Sequence, residues 1–226
     1  MNDRILSNNQ CLTFICIFAL HFKGGLSNRW LLLWAYHVAK GMEYLSEKRV
    51  MHGDLAARNI LLSRMDADNI IGKIADFGLS KRFYDNVTYT KKERNSVPWK
   101  WMAPEFWERS IFTLSSDVWS FGVVLWEIFS LGKEPYPGKS FDEVTKGYKQ
   151  NQFLVYPDIN YSYIPNWNPA NVYNMIVRKC FCVDPSERSS FRQLVILLEG
   201  QIKPYEIENY KTINKNYQQQ NSVAED

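Results

Sequence analysis

Three side chains of this 226-residue sequence have types and an order suited to metal-assisted chemistry on a phosphate. Asp54 and Asn59 lie in His52-Gly53-Asp54-Leu55-Ala56-Ala57-Arg58-Asn59, and Asp76 opens Asp76-Phe77-Gly78. An amide oxygen and a carboxylate are hard donors that suit Mg²⁺. A further carboxylate can take the proton of an attacking hydroxyl. Phosphoryl transfer from a nucleotide needs both: a metal that neutralises phosphate charge and a group that orients the incoming oxygen. Taken singly, each piece also reads as a turn or a helix cap. In combination and in this order they form a specific signal.

The elements that must position these residues follow from periodicity. Ile60–Leu62 and Ile70–Ile74 are short β-type runs joined by a polar loop with Asp66 and Asp68, which predicts a hairpin with the reactive residues at its two ends. Leu31, Ala35, Val38, Met42 and Leu45 recur at helical spacing behind Ser27 and Asn28, both good N-cap types. A second helix starts near Ser115–Asp117 and runs through Ile128; it is apolar on nearly every face and is expected to be buried. Glu134-Pro135-Tyr136-Pro137-Gly138 breaks the chain. Ser140 with Glu143 makes a capping box for a third helix. Asn168 and Pro169 open a fourth. Ser190 or its neighbour opens a fifth through Phe191, Leu194 and Leu198. The expected fold is mainly α, a helical body carrying one small β-hairpin.

Composition narrows the function classes. Hydrophobic residues are 46% and charged residues 23%, which excludes a disordered, collagen-like or coiled-coil chain. With 27 basic residues interleaved among 24 acidic ones, the net charge of +3 gives no nucleic-acid partner. Cys11, Cys16, Cys180 and Cys182 do not form a disulfide framework, and the histidines, His21, His37 and His52, offer no zinc-ligand spacing. Residues 11–22 are an apolar run too short for a membrane-spanning helix. Preceded by Asp3 and Arg4 and followed by no small-x-small cleavage site, that run reads as a buried segment or a stretch foreign to the fold, ahead of a signal-peptide core. Residues 204–226 are polar and rich in Asn and Gln, which predicts a disordered tail.

The motifs together resemble the protein kinase family, and within it the receptor-type tyrosine kinases of the growth-factor-receptor and torso-like group. Val97-Pro98-Trp99-Lys100-Trp101-Met102-Ala103-Pro104-Glu105 is similar to the tyrosine-kinase substrate loop and its closing Ala-Pro-Glu. Ser116-Asp117-Val118-Trp119-Ser120-Phe121-Gly122 resembles the start of the buried central helix, and Asp184-Pro185 with Arg188 the segment whose arginine pairs with that glutamate. The likeness covers roughly residues 31–203 and implies the C-terminal lobe of a kinase, with residues 1–30 unmatched. It implies ATP and Mg²⁺ as cofactors, Asp54 as catalytic base, Arg58 beside it orienting substrate, Asn59 and Asp76 as metal ligands, and Leu61 as the adenine floor. Pro98, Lys100 and Trp101 would form the substrate loop. His52, Phe77, Glu105, Asp117 and Arg188 would be structural, with Asp117 bracing the catalytic loop and Glu105 paired to Arg188.

The same likeness implies tyrosine as acceptor. Ala56 stands where serine/threonine kinases carry lysine, and Arg58 directly precedes Asn59, as in receptor tyrosine kinases. Tyr84 and Tyr89 fall where kinases carry activation-loop phosphosites; Tyr205, Tyr210 and Tyr217 read as docking sites for phosphotyrosine-reading adaptors or as plain tail residues. The implied partners are tyrosine-bearing proteins and, for a full-length receptor, a second copy. The implied location is the cytoplasmic side of the plasma membrane, or alternatively the cytoplasm. Gly53 replaces the arginine most kinases use to contact activation-loop phosphate, so activation is expected to depend less on Tyr84 and Tyr89. Phe181 and Ser189 replace a Trp and a Pro. No G-x-G-x-x-G loop or Val-Ala-Ile-Lys strand precedes residue 31, so the expectation is a lobe without its nucleotide-covering partner. Two functions follow: a tyrosine-kinase catalytic lobe, or a non-catalytic docking module.

Overall fold

The computed structural model describes residues 12–13, 28–64, 70–82, 87–88, 98–157 and 169–222. In chain order it gives β1 (Leu12–Thr13), α1 (Asn28–Glu47), β2 (Val50–Met51), β3 (Ile60–Arg64), β4 (Ile70–Ile74), β5 (Lys81–Arg82), β6 (Val87–Thr88), α2 (Pro104–Arg109), β7 (Ile111–Phe112), α3 (Leu114–Phe129), α4 (Phe141–Tyr148), α5 (Pro169–Cys180), α6 (Phe191–Glu199) and α7 (Pro204–Ser222). Short 3₁₀ turns cover Ala57–Asn59, Trp99–Trp101 and Pro185–Glu187. The body is helical and the expected hairpin is present: β3 and β4 pair antiparallel, with Ile60 opposite Ile74 and Leu62 opposite Gly72.

α3 is the axis of the body. Every residue from Ser116 to Phe129 is buried, as expected of a helix apolar on nearly all faces. It starts slightly earlier than the sequence suggests, because Thr113 sits extended before it and donates its N–H to Ser116 Oγ at 3.0 Å. Around Trp119 the rings of Tyr148 and Phe181 lie at 4.9 Å and Phe153 at 5.8 Å, joining α3 to α4 and to the chain after α5. Gly122 permits that closeness: a Cβ there would stand 2.8 Å from Cys180 Cβ and from Phe181 Cε1. The Phe181 departure is thus a packing residue in the core. α4 and α6 begin with the expected caps, Ser140 Oγ accepting from Glu143 N–H and Ser190 Oγ from Gln193 N–H.

One expectation is corrected. The polar tail is not disordered through its length, because α7 runs from Pro204 to Ser222. Its Asn and Gln residues mask an inward face: Glu206 is buried, Ile207 packs against the core, and Tyr210 stacks on His37 at 4.4 Å and meets Tyr36 edge-on at 5.4 Å. Pro204 opens the helix, and the Lys203 N–H donates to Glu206 Oε2 at 3.2 Å, so the start is capped as well as packed. α1 begins at Asn28, and β1 pairs with β3, Leu12 opposite Leu62 and Thr13 opposite Leu61, making a three-stranded sheet from the expected hairpin.

Tyr84, Tyr89, Cys11, Cys16, His21, Asn168 and the loop with Asp66 and Asp68 lie outside the described residues. Cys180 and Cys182 are both free thiols.

Candidate active site

The catalytic-loop residues converge because α3 grips the loop from beneath. Asp117, fully buried, accepts the His52 backbone N–H at 2.8 Å on Oδ2 and the Gly53 N–H at 3.1 Å on Oδ1. Burial pushes its carboxyl up to about 7, against the pull of those two donors. Gly53 adopts φ +79, and a Cβ there would come within 2.9 Å of the Leu79 carbonyl oxygen. Glycine is required by both facts, so the departure at this position has a local steric meaning.

His52 is buried and bridges the two halves of the site. Its Nε2–H donates to the Ala75 carbonyl at 3.1 Å, and its Nδ1 accepts from the Asp54 N–H at 3.3 Å. That pattern is the neutral imidazole; burial lowers its pKa from the ordinary value, opposed chiefly by the Ala75 bond. The Phe77 ring stands 5.2 Å from the His52 ring and is about half exposed.

Asp54 lies at the centre. Arg58 pairs with Asp54 Oδ1, and Asn59 Nδ2 donates to Asp54 Oδ2 at 2.9 Å and to its carbonyl at 2.7 Å. The Asn59 amide nitrogen is thereby committed to Asp54, leaving the amide oxygen as its donor atom for a metal. Across the hairpin end, Ala75 N–H donates to the Asn59 carbonyl at 2.8 Å, which brings Asp76 beside the loop. Asp76 is exposed at φ +60, a conformation that aspartate tolerates, and accepts the Gly78 N–H at 3.2 Å. One carboxylate, one amide oxygen and room for water and phosphate oxygens make a donor set that fits Mg²⁺. Among the described residues no three His, Cys, Asp or Glu cluster as an all-protein metal cage. Leu61 is half-buried in β3, opposite Lys73 on β4.

The substrate-loop residues sit on the far side of Arg58. The Arg58 guanidinium carbon lies 4.8 Å from the Trp101 ring centre. Pro98 precedes the 3₁₀ turn that carries Lys100 and Trp101; Lys100 pairs with Glu134 at 2.8 Å, and Ser120 Oγ donates to the Trp101 carbonyl at 2.8 Å. Below, Arg188 and Glu105 form a two-pronged buried pair, NH1 to Oε1 at 2.8 Å and NH2 to Oε2 at 2.7 Å. Arg188 also donates to the Ser115 and Cys182 carbonyls, and Ser116 Oγ to Glu105, so both charges are fully engaged.

Sequence reasoning missed Glu127. It is a buried acid on α3 that accepts the Ala57 N–H and the Trp101 indole N–H, each at 2.9 Å on Oε2. Burial pushes its carboxyl up to about 7. The available signal was an acid inside the otherwise apolar run Val123-Val124-Leu125-Trp126-Glu127-Ile128-Phe129.

Comparison with known proteins shows the family. A sequence model of the family described as protein tyrosine and serine/threonine kinase matches residues 4–198, starting ahead of the residue-31 boundary read from motifs. Fibroblast growth factor receptor 1 of Pleurodeles waltl is 42% identical over 181 residues, 80% of this chain and 21% of the relative. The mast/stem cell growth factor receptor Kit of Gallus gallus is 40% identical over 177 residues, 76% of this chain and 17% of the relative. Vascular endothelial growth factor receptor 3 of Coturnix coturnix is 40% identical over 188 residues, 83% of this chain and 12% of the relative. The chain therefore spans about a fifth or less of the length of these relatives. Its mainly helical body with a small hairpin has the architecture of a kinase C-terminal lobe, and the chain belongs to the protein tyrosine and serine/threonine kinase family.

Proposed function

We propose that this chain is the substrate- and metal-binding lobe of a receptor-type tyrosine kinase, which moves the γ-phosphoryl group of ATP to tyrosine hydroxyls of protein substrates. The observation that carries the reading is the joint placement of Arg58: it pairs with Asp54 on one side and lies over Trp101 on the other. Asp54 takes the phenol proton, and Arg58 orients the approaching ring. Asn59 and Asp76 hold Mg²⁺, which when bound neutralises phosphate charge. Leu61 lies under the adenine, and Pro98, Lys100 and Trp101 support the acceptor peptide. Ala56 stands where serine/threonine kinases carry a lysine, in keeping with a tyrosine acceptor.

In this reading the lobe works at the cytoplasmic face of a membrane receptor that pairs with a second copy, and its phosphotyrosines recruit adaptors. Tyr84 and Tyr89 are the activation-loop acceptors. The test is transfer of labelled phosphate from Mg-ATP to matched peptides that differ only in tyrosine or serine, with the full-length protein. Tyrosine labelling that falls by at least about a hundredfold in Asp54→Asn supports the reading. Equal labelling of serine, or labelling indifferent to Asp54→Asn, overturns it.

A further inference from the structure

Resting on the tyrosine-transfer reading above, we propose that Glu127 is a positioning residue for the acceptor peptide, locking the substrate loop to the catalytic loop through the edge of Trp101. One oxygen of Glu127 receives two donors from segments far apart in sequence, the Ala57 N–H of the catalytic loop and the Trp101 indole N–H of the substrate loop, both at 2.9 Å. Neither bond closes a helix or a strand; each ties a loop to the central helix. Burying an acid on the otherwise apolar stretch of α3 is costly, and stability alone is served better by an apolar side chain of that size.

The geometry gives this placement a use. The Trp101 indole is held at its edge by Glu127, and its face lies under Arg58 at 4.8 Å. Fixing the ring plane fixes the shelf on which the guanidinium rests, and that guanidinium pairs with Asp54. Rotation of an untethered indole therefore disturbs the path by which a phenol reaches Asp54. The metal-binding side is secured separately, by Asn59 Nδ2 on the Asp54 carbonyl and by the Ala75 N–H on the Asn59 carbonyl. Loss of the Glu127 tie is thus felt on the peptide side of the site and not on the nucleotide side.

Steady-state kinetics of the full-length protein, varying peptide and Mg-ATP separately, tests this with Glu127→Met, which keeps the length of the side chain but has no acceptor oxygen, and with Trp101→Phe. Trp101→Phe keeps an aromatic face under Arg58 but has no indole N–H. Each variant is expected to raise the peptide KM about tenfold, the worth of one lost bond to a charged acceptor, with the ATP KM within about twofold. The double variant is expected to be no worse than the poorer single one, because both remove the same tie. A peptide KM unchanged in both variants, or peptide and ATP KM rising together, overturns the assignment. Wild-type protein that transfers no phosphate removes the parent reading and this one with it, whereas an active wild type with indifferent variants removes only this one.

Discussion

At Gly53 the backbone has turned to φ +79 while the Leu79 carbonyl presses against the space a side chain would need. Replacing it by the arginine usual in the family places a Cβ 2.9 Å from that oxygen in a left-handed conformation. The expected loss is about 1–3 kcal/mol, read from urea unfolding of Gly53→Arg. A variant as stable as wild type would show that the loop relaxes at no cost. Arg188 offers the opposite case, a buried charge with every donor used. Arg188→Met strands Glu105 in the core and is expected to lower stability by about 3–5 kcal/mol; a loss below about 1 kcal/mol by the same measurement contradicts the role assigned to the pair. These residues also show what a sequence makes readable. Asp54, Asn59 and Asp76 stand out because their types are unusual for their spacing. Glu127 does not, since its partners are a backbone N–H and an indole N–H that no pattern in the sequence announces.

Helices whose burial follows their own periodicity were legible, and those whose inward face is short were not. α3 is apolar throughout and α4 and α6 carry capping boxes, so their positions could be read directly. In α7 the inward set is Glu206, Ile207 and Tyr210, scattered among Asn, Gln and Lys, and the composition of the segment outweighs it. The docking of α7 makes a measurable claim. Tyr210 covers His37, whose imidazole burial holds at about 3 and whose Nδ1 accepts the Gly72 N–H at 3.2 Å. Tyr210→Ala is expected to lower stability by about 2–4 kcal/mol and to speed amide exchange at Gly72, through the histidine that joins them. Exchange at Gly72 equal to wild type would mean that α7 rests on the body without restraining the hairpin.

Across the whole molecule, two of the buried carboxylates beneath the site, Asp117 and Glu127, set a pH dependence. Burial pushes both Asp117 and Glu127 up to about 7, whereas in an unfolded chain such acids titrate near 4. Between those limits the folded protein holds protons that the unfolded chain has released. The stability these groups contribute is therefore greatest below about pH 4, falls as pH rises to about 7, and is level above it. Glu127→Gln removes one contributor, so the stability of wild type minus that of the variant should decline between about pH 5 and pH 7.5, by at most about 3 kcal/mol. A difference that is flat or rises across that window contradicts the assignment. The 226 residues contain no G-x-G-x-x-G loop to enclose a nucleotide, so Mg-ATP is expected to leave the melting temperature of this chain alone unchanged within about 1 °C; a clear concentration-dependent rise contradicts this.

The grip of α3 on the loop has a further consequence, for the order in which the molecule is made. The bonds from His52 to Asp117 and from Ala57 to Glu127 join residues 65 and 70 positions apart, and the Glu105–Arg188 pair spans 83. Local bonds such as Asn59 Nδ2 to the Asp54 carbonyl shape the loop, but its seat on α3 depends on residues made much later. It must wait for the central helix to be synthesised, and the platform under that helix waits for Arg188. A nascent chain stalled before α3 would carry the reactive residues in sequence but not in space, and the site would form in one step near the end of folding.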